Sequence, residues 1–233
     1  CWQELFPSCN GPTTYQQTTI PFHGEVVTLP WEYQIETQTA DALAVRFQVE
    51  TRLTTFRLER TMRLERGSMR LILDEKVTNI GTAEQHFVWG HHCVVGGSWL
   101  EAGCELQSAA QTIVTIDQIY EEKTARLAPG QHEAWPNALT RTGDKVDLRV
   151  VPGPEMHSHD DVYLTDLTDG WVSVTNPRLK LTFGLYWDPA VFKWIISWQP
   201  YGGAEMLPFK GMPYALGIEP WINFEPLGES AAT

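Results

Sequence analysis

Two stretches of the chain alternate apolar and polar residues with a period of two. In the first, residues 44–79, the alternating apolar positions are Val45, Phe47 and Val49, then Phe56, Leu58, Met62 and Leu64, then Met69, Leu71, Leu73 and Val77. Successive side chains of a strand point to opposite faces of a sheet, so this period predicts half-buried antiparallel strands. Turns are predicted at residues 66–68 and 79–81, where glycine and polar residues interrupt the pattern.

The second stretch, residues 161–198, contains the runs VYLTDL, WVSVTN, LKLTFGLYW and FKWIISW, separated by turn residues. Short runs at this spacing are typical of a sandwich or barrel. The best helical candidate, residues 116–126, fits a strand followed by a polar loop equally well. Residues 128–158 are rich in Pro, Gly and His, which predicts a long surface connection. We therefore expect one all-β domain spanning residues 1–233.

Composition narrows the choice of partners. Seventeen Lys and Arg against 29 Asp and Glu give a net charge of −12, which would repel a phosphate backbone and argues against nucleic acid. No apolar run approaches the roughly 20 residues of a membrane-spanning helix. The four cysteines form no CxxC pair, so we expect reduced thiols, no structural zinc and a cytoplasmic protein. The sequence also allows a homo-oligomer.

Two histidines have the spacing of metal ligands. His157 and His159 flank one residue, as in the HxH motif of metal-binding β-barrels, where alternate strand residues face one ion. Such a site needs a further ligand on a later strand, and no histidine follows His159. We therefore predict no metal, and the alternative for this segment is a solvated polar loop.

Three other segments place polar groups in apolar surroundings. His91 and His92 lie within FVWGHHCVVG, and in a strand one of the two must face away from the other. Glu219 lies within ALGIEPW, where a carboxylate must be paired, open to a cleft or protonated. The third segment holds His23 and Gly24 in IPFHGE. Each also has a purely structural interpretation: a satisfied core histidine, a structural ion pair and an ordinary loop.

Taken in order, these segments resemble the aldose 1-epimerase family, also called galactose mutarotase-like proteins. The matching features are PFHGEVVTLPW, LILDEKVTNIGTAEQHFVWGHHC, HDDVYL and LGIEPW. The resemblance spans residues 21–221 and implies a large antiparallel β-sandwich, the galactose mutarotase-like supersandwich, with the sugar in a cleft. It also implies an isomerase that interconverts sugar anomers without a cofactor.

The resemblance assigns roles residue by residue. Glu219 would be the general base and His92 the general acid, acting from opposite sides of the sugar ring, with His23 and Asp160 positioning the substrate. A fourth positioning residue would be Asn10, which matches the asparagine of the family's Pro-x-x-Asn-Arg segment. Four tryptophans are candidates for stacking on the sugar, although each is as readily a core residue. They are Trp31, Trp89, Trp187 and Trp221.

Two departures from the family pattern leave alternatives open. Gly11 stands where the family has an arginine, and the family's opening strands are missing, so we expect an absent N-terminal segment or a second chain that completes the sheet. A non-catalytic carbohydrate-binding sandwich is one alternative. A glucose-6-phosphate epimerase would need cations such as Arg46 or Arg178 at the phosphate. A glycoside hydrolase would use two carboxylates.

Overall fold

The computed structural model of the protein describes residues 1–9 and 11–225. Strands hold 49% of the residues and helical turns 3%, so the predicted all-β class is confirmed. The chain divides into two compact units. The N-terminal unit contains Glu4–Trp89 and Glu225, and the C-terminal unit contains Cys1–Gln3 and Gly90–Phe224. The single domain expected from the sequence stays a prediction.

The first seven strands include the meander predicted from the period-two pattern. Strands β1 to β7 are Trp2–Leu5, Thr13–Tyr15, Thr18–Ile20, Glu32–Gln38, Ala42–Glu50, Phe56–Glu65 and Leu71–Asn79. Strands β4 to β7 form an antiparallel sheet in sequence order, and β2 pairs with β3. Both predicted turns are confirmed, since β6 ends at Glu65 and β7 ends at Asn79.

One face of the four-stranded sheet contributes to the core of the N-terminal unit. Its alternating residues Val49, Phe56 and Leu58 are buried with Phe6 and Val26. The phenyl rings of Phe6 and Phe56 meet edge to face at 5.1 Å, a favoured arrangement for aromatic pairs. Burial of alternate residues on neighbouring strands fixes the register of the meander.

The C-terminal unit contains the remaining strands. Strands β8 to β19 are Gly90–Gly96, Glu105–Ser108, Thr112–Val114, His132–Ala134, Asn137–Leu139, Lys145–Asp147, Ser158–Thr165, Trp171–Asn176, Leu181–Tyr186, Trp194–Tyr201, Ala215–Gly217 and Glu219–Trp221. The main sheet has the order β1-β8-β19-β17-β14-β10-β11, and β18 also pairs with β8. Strands β16, β15 and β9 form a second sheet, and β12 pairs with β13.

The core of the C-terminal unit lies on one face of the main sheet. Val162 and Leu164 of β14 and Ile195 of β17 are fully buried there, together with Val172 and Val174 from the second sheet. The residues that alternate with these buried residues along β14 and β17 therefore point to the other face of the main sheet. That second face carries the candidate site.

The structure decides between the alternatives for one middle segment and corrects the expectation for another. Residues 116–126 form no helix, because their polar residues lie in turns held by hydrogen bonds such as Ala125 N–H to the carbonyl of Glu121 at 2.8 Å. Residues 128–158 are not a bare connection, since they contain β11, β12 and β13. These three-residue strands are too short to produce a visible alternation in the sequence.

Within the described residues, no helix combines the length and apolar character needed to cross a membrane.

Candidate active site

Two neighbouring strands bring His92 and Glu219 together, although they are 127 residues apart in sequence. Trp221 of β19 lies opposite Gly90 of β8, and Gly217 lies opposite Val94. In an antiparallel pair, this register places His92 directly opposite Glu219 on the same face. The His92 Nδ1 and Glu219 Oε1 atoms are 2.7 Å apart. The two groups are thus in direct contact, and the expected separation by a sugar ring is wrong.

The carboxylate of Glu219 is held by its neighbours. Its second oxygen, Oε2, accepts a hydrogen bond of 3.3 Å from the indole N–H of Trp221, whose side chain is fully buried. Gly217 leaves room for the carboxylate, because a Cβ there would lie 2.5 Å from Glu219 Oε1 and 2.9 Å from the Cβ of Trp198. Trp221 is therefore a core residue that orients Glu219 and does not stack on a ligand.

The contact also determines the charge on the pair. Burial alone would lower the pKa of His92, but the negative charge and hydrogen bond of Glu219 outweigh it, and the pKa is raised above the usual 6.5. The carboxyl of Glu219 is buried while the imidazole remains 18% exposed. The raised pKa favours the protonated imidazole beside the Glu219 carboxyl group, an arrangement suited to proton transfer.

An aromatic side chain lies beside the pair. The ring of Trp198 on β17 is 5.8 Å from the His92 ring and 5.5 Å from the ring of Phe209. The indole N–H of Trp198 donates to His159 Nε2 at 2.8 Å. This hydrogen bond fixes the indole orientation, and the half-buried ring provides a flat apolar surface next to the imidazole.

Strand β14 carries two adjacent aspartates that face opposite sides of the sheet. Asp160 is buried on the core side, where its Oδ1 accepts from the backbone N–H groups of Arg126 and Leu127 at 3.0 and 2.9 Å. Its Oδ2 accepts from the Arg126 guanidinium at 2.9 Å. This carboxylate anchors the segment around Arg126, and its predicted role in positioning a sugar stays a prediction.

Asp161 lies on the same face as Glu219 and is opposite Trp198 in the strand register. Its side chain is half-buried and has no hydrogen-bond partner among the described residues. Burial, followed by the negative charges of Glu219 and Asp160, raises the pKa of Asp161 to about 7. This carboxyl group is on the same sheet face as Glu219, with β17 between the two strands.

The remaining residues that the sequence singles out lie elsewhere. His23 belongs to the N-terminal unit, has a positive φ of 65° and contacts Phe22 at a ring distance of 3.9 Å. Asn10 lies outside the described residues. The roles of both in binding a substrate stay predictions.

Both tryptophans predicted to bind the substrate pack against the core of the N-terminal unit. The indole N–H of Trp31 donates to the Val26 carbonyl at 3.1 Å, and that of Trp89 donates to the Glu4 carboxylate. These bonds satisfy both indoles within the unit, and stacking on a sugar stays a prediction for each.

The two histidines of the HxH segment have different environments. His157 is exposed and 3.3 Å from Glu205, whereas His159 is buried.

The arginines considered for a phosphate are engaged on the surface. Arg46 pairs with Glu36 and Glu59 at 3.2 and 3.3 Å, and Arg178 pairs with Glu101 at 2.7 Å.

Sequence reasoning missed Asp161, His159 and Trp198 as site residues. The alternation in HDDVYLTDL contains the signal for the first two. Asp160 falls on the alternate positions that face the core in this run, whereas Asp161 falls on the positions between them.

Residues 6–232 match the family model described as Domain of unknown function (DUF4432), and the chain belongs to this family. No curated protein matches the sequence significantly. Several solved structures share the fold. A candidate aldose 1-epimerase from Klebsiella pneumoniae is 15% identical with a TM-score of 0.68, and the match covers 96% of this chain and 54% of that one.

Two Lactobacillus structures give the same result. The galactose mutarotase related enzyme from Lactobacillus acidophilus is 16% identical with a TM-score of 0.59, covering 94% of this chain and 70% of that one. The galactose mutarotase-like protein from Lactobacillus casei is 14% identical with a TM-score of 0.60, covering 99% and 77%. The predicted galactose mutarotase-like β-sandwich is therefore confirmed as the fold, and the chain spans about half the length of the Klebsiella protein.

Proposed function

We propose that this member of the DUF4432 family is an isomerase that interconverts the anomers of a sugar by general acid–base opening and closure of the ring. The observation that carries the proposal is the 2.7 Å contact between His92 Nδ1 and Glu219 Oε1 on a half-buried sheet face. Fold analogy with the mutarotase-like structures supports it, but a fold alone does not determine an activity.

The chemistry of a hemiacetal suits two groups in contact. The anomeric hydroxyl and the ring oxygen are bonded to the same carbon, so adjacent acid and base groups can reach both from one edge of the sugar. Glu219 takes the hydroxyl proton as His92 donates a proton to the ring oxygen, and the bond from the anomeric carbon to that oxygen breaks. Each proton transfer contributes about 10²- to 10⁴-fold.

Ring closure reverses the same steps. The open aldehyde rotates about its bond to the second carbon, and the hydroxyl attacks the other face of the carbonyl. His92 then takes back the proton from the attacking hydroxyl and Glu219 returns one to the new anomeric oxygen. No group is consumed, so the pair ends in its initial protonation state. Trp198 beside His92 provides an apolar surface for one face of the sugar.

The proposal is tested by the enzyme-dependent change in optical rotation of fresh α-glucose and α-galactose. We expect Glu219→Gln and His92→Asn each to lower kcat by at least about 100-fold, because each removes one proton-transfer group. The exposed pair His157 and Glu205 supplies matched controls, and His157→Asn and Glu205→Gln should behave like the wild type.

The controls separate the proposal from its alternatives. Equal rates for the wild type and Glu219→Gln would reject the assigned base. Sugar binding without any acceleration of anomer exchange would reject the isomerase and favour the carbohydrate-binding sandwich. Release of a reducing sugar from a glycoside would instead identify a hydrolase.

A further inference from the structure

A small cavity of about 40 Å³, open to solvent on one side, lies beside Asp161 in the C-terminal unit. It is located where β14 extends past the end of β10 and faces the segment 115–129. Its lining combines apolar and polar side chains, among them Ile116, Ile119, Pro129, Glu121, His159 and Asp161. Asp161 and Glu219 lie on the same face of the main sheet with β17 between their strands, so the cavity opens on the face that carries His92 and Glu219.

His159 gives the cavity an unsatisfied hydrogen-bond donor. Its side chain is 6% exposed, and its Nε2 accepts from the indole of Trp198. Burial lowers the pKa of His159 despite the nearby charges of Glu121 and Asp160, so the imidazole is neutral. A neutral imidazole that accepts at Nε2 must carry its proton on Nδ1. This buried Nδ1 has no partner among the described residues.

Asp161 gives the same cavity an unsatisfied acceptor. It follows His159 by two residues on β14, so the two side chains leave the strand on the same face. No described residue donates a hydrogen bond to its carboxylate. Leaving the buried Nδ1–H of His159 unpaired costs about 1–3 kcal/mol, unless a ligand satisfies it, and the same ligand can pair with the Asp161 carboxyl beside it.

We infer that the cavity receives an acylamino substituent of the sugar, such as an acetamido group. Its N–H donates to the Asp161 carboxylate, its carbonyl accepts from His159 Nδ1–H, and its methyl group contacts Ile116, Ile119 and Pro129. The inference rests on the proposed function, because it places the sugar at His92 and Glu219. It adds the class of substrate, an N-acylated amino sugar.

Other substituents match the cavity less well. An ammonium group only donates hydrogen bonds and would leave His159 Nδ1–H unsatisfied. A phosphate is repelled by Asp161 and Glu121, and no arginine or lysine lines the cavity within the described residues. A single hydroxyl satisfies one partner well but leaves the apolar wall in contact with water.

The test compares anomer exchange of N-acetylglucosamine, glucosamine and glucose by proton NMR, corrected for the uncatalysed rates. We expect the wild-type kcat/KM for N-acetylglucosamine to exceed that for either other sugar by at least about 10-fold, because analogues lacking the amide leave buried partners unpaired. Equal values, or a preference for glucosamine, would overturn the inference.

Variants connect the preference to the cavity. Asp161→Ala and His159→Phe should each lower the ratio of kcat/KM for N-acetylglucosamine to that for glucose by about 10-fold. Glu122→Gln removes a charge from the same segment outside the lining and should preserve the ratio. An unchanged ratio in a folded Asp161→Ala protein would overturn the inference, and the wild-type comparison still decides it where a variant fails to fold.

Binding distinguishes failure of the inference from failure of the proposed function. If glucose is turned over without any preference for the acetylated sugar, the cavity assignment is wrong and the isomerase stands. If no sugar is turned over, the proposed function is wrong. In that case the cavity assignment still predicts tighter binding of N-acetylglucosamine than of glucose, measured by ligand-observed NMR. Equal binding of the two sugars would reject the cavity assignment as well.

Discussion

Asp160 and Asp161 differ in environment because a strand points adjacent side chains in opposite directions. The Asp160 carboxylate is satisfied by Arg126 and Leu127, whereas Asp161 lies on the opposite sheet face without a hydrogen-bond partner in the described part of the chain. The family motif in HDDVYL directs attention to Asp160. The alternation of the same run places Asp161 on the face away from the core, so this part of the site could be predicted from the sequence alone.

The raised pKa of Asp161 predicts how stability responds to pH. Because its folded-state pKa of about 7 lies above the usual 3.8, the folded protein holds more protons than the unfolded chain between these values. The contribution of Asp161 to stability is therefore present below about pH 4 and lost as the pH rises to 7. Asp161→Asn removes this loss and should be more stable than the wild type at pH 7.5.

Denaturant unfolding without sugar at pH 4, 5.5 and 7.5 measures the effect. We expect the advantage of Asp161→Asn to grow by about 1–2 kcal/mol over this range, after allowance for water screening of a half-buried carboxyl. The exposed Glu122→Gln variant serves as the control. An advantage that stays constant or shrinks with pH would contradict the assigned environment of Asp161.

At the scale of elements, the close approach of β18 and β19 to β17 determines the position of the Glu219 carboxylate. Gly217 lies between Glu219 and Trp198, where a Cβ would come within 2.5 Å of Glu219 Oε1. Gly217→Ala should displace this carboxylate, lowering kcat by about 10- to 100-fold and stability by about 1–3 kcal/mol.

A glycine of β16 provides the matched control. The nearest atoms to a Cβ at Gly184 are 3.5 Å away, so Gly184→Ala should fold and react like the wild type. Anomer exchange rates and denaturant unfolding of both variants decide the point. A Gly217→Ala protein with wild-type kcat would show that Glu219 does not depend on this close approach.

Elements with a clear period were predicted and those without one were not. The meander β4 to β7 and the runs β14 to β17 follow from alternation, because each buries one face. Strands β11, β12 and β13 have three residues each and leave no such pattern. The contact between His92 and Glu219 depends on the pairing of β8 with β19, which a single sequence does not reveal.

For the whole molecule, the sequence predicted the fold, and it named His92 and Glu219, which the structure brings into contact and which are the proposed acid and base. It placed them on opposite sides of a ring, because motifs give identities in order but no distances. Partnership with a sugar, a homo-oligomeric state and a cytoplasmic location stay predictions. The acidic net charge of −12 agrees with an uncharged substrate better than with a phosphorylated one.

The central claim is that His92 and Glu219 act together as acid and base on a hemiacetal. Its most direct test is the pH dependence of enzyme-catalysed anomer exchange, measured by exchange NMR at equilibrium and corrected for the spontaneous rate. The raised pKa of His92 predicts that kcat/KM remains high through pH 6.5 and falls at higher pH as the imidazolium loses its proton. Absence of enzyme-dependent exchange, or a kcat/KM that rises through this range, would contradict the account.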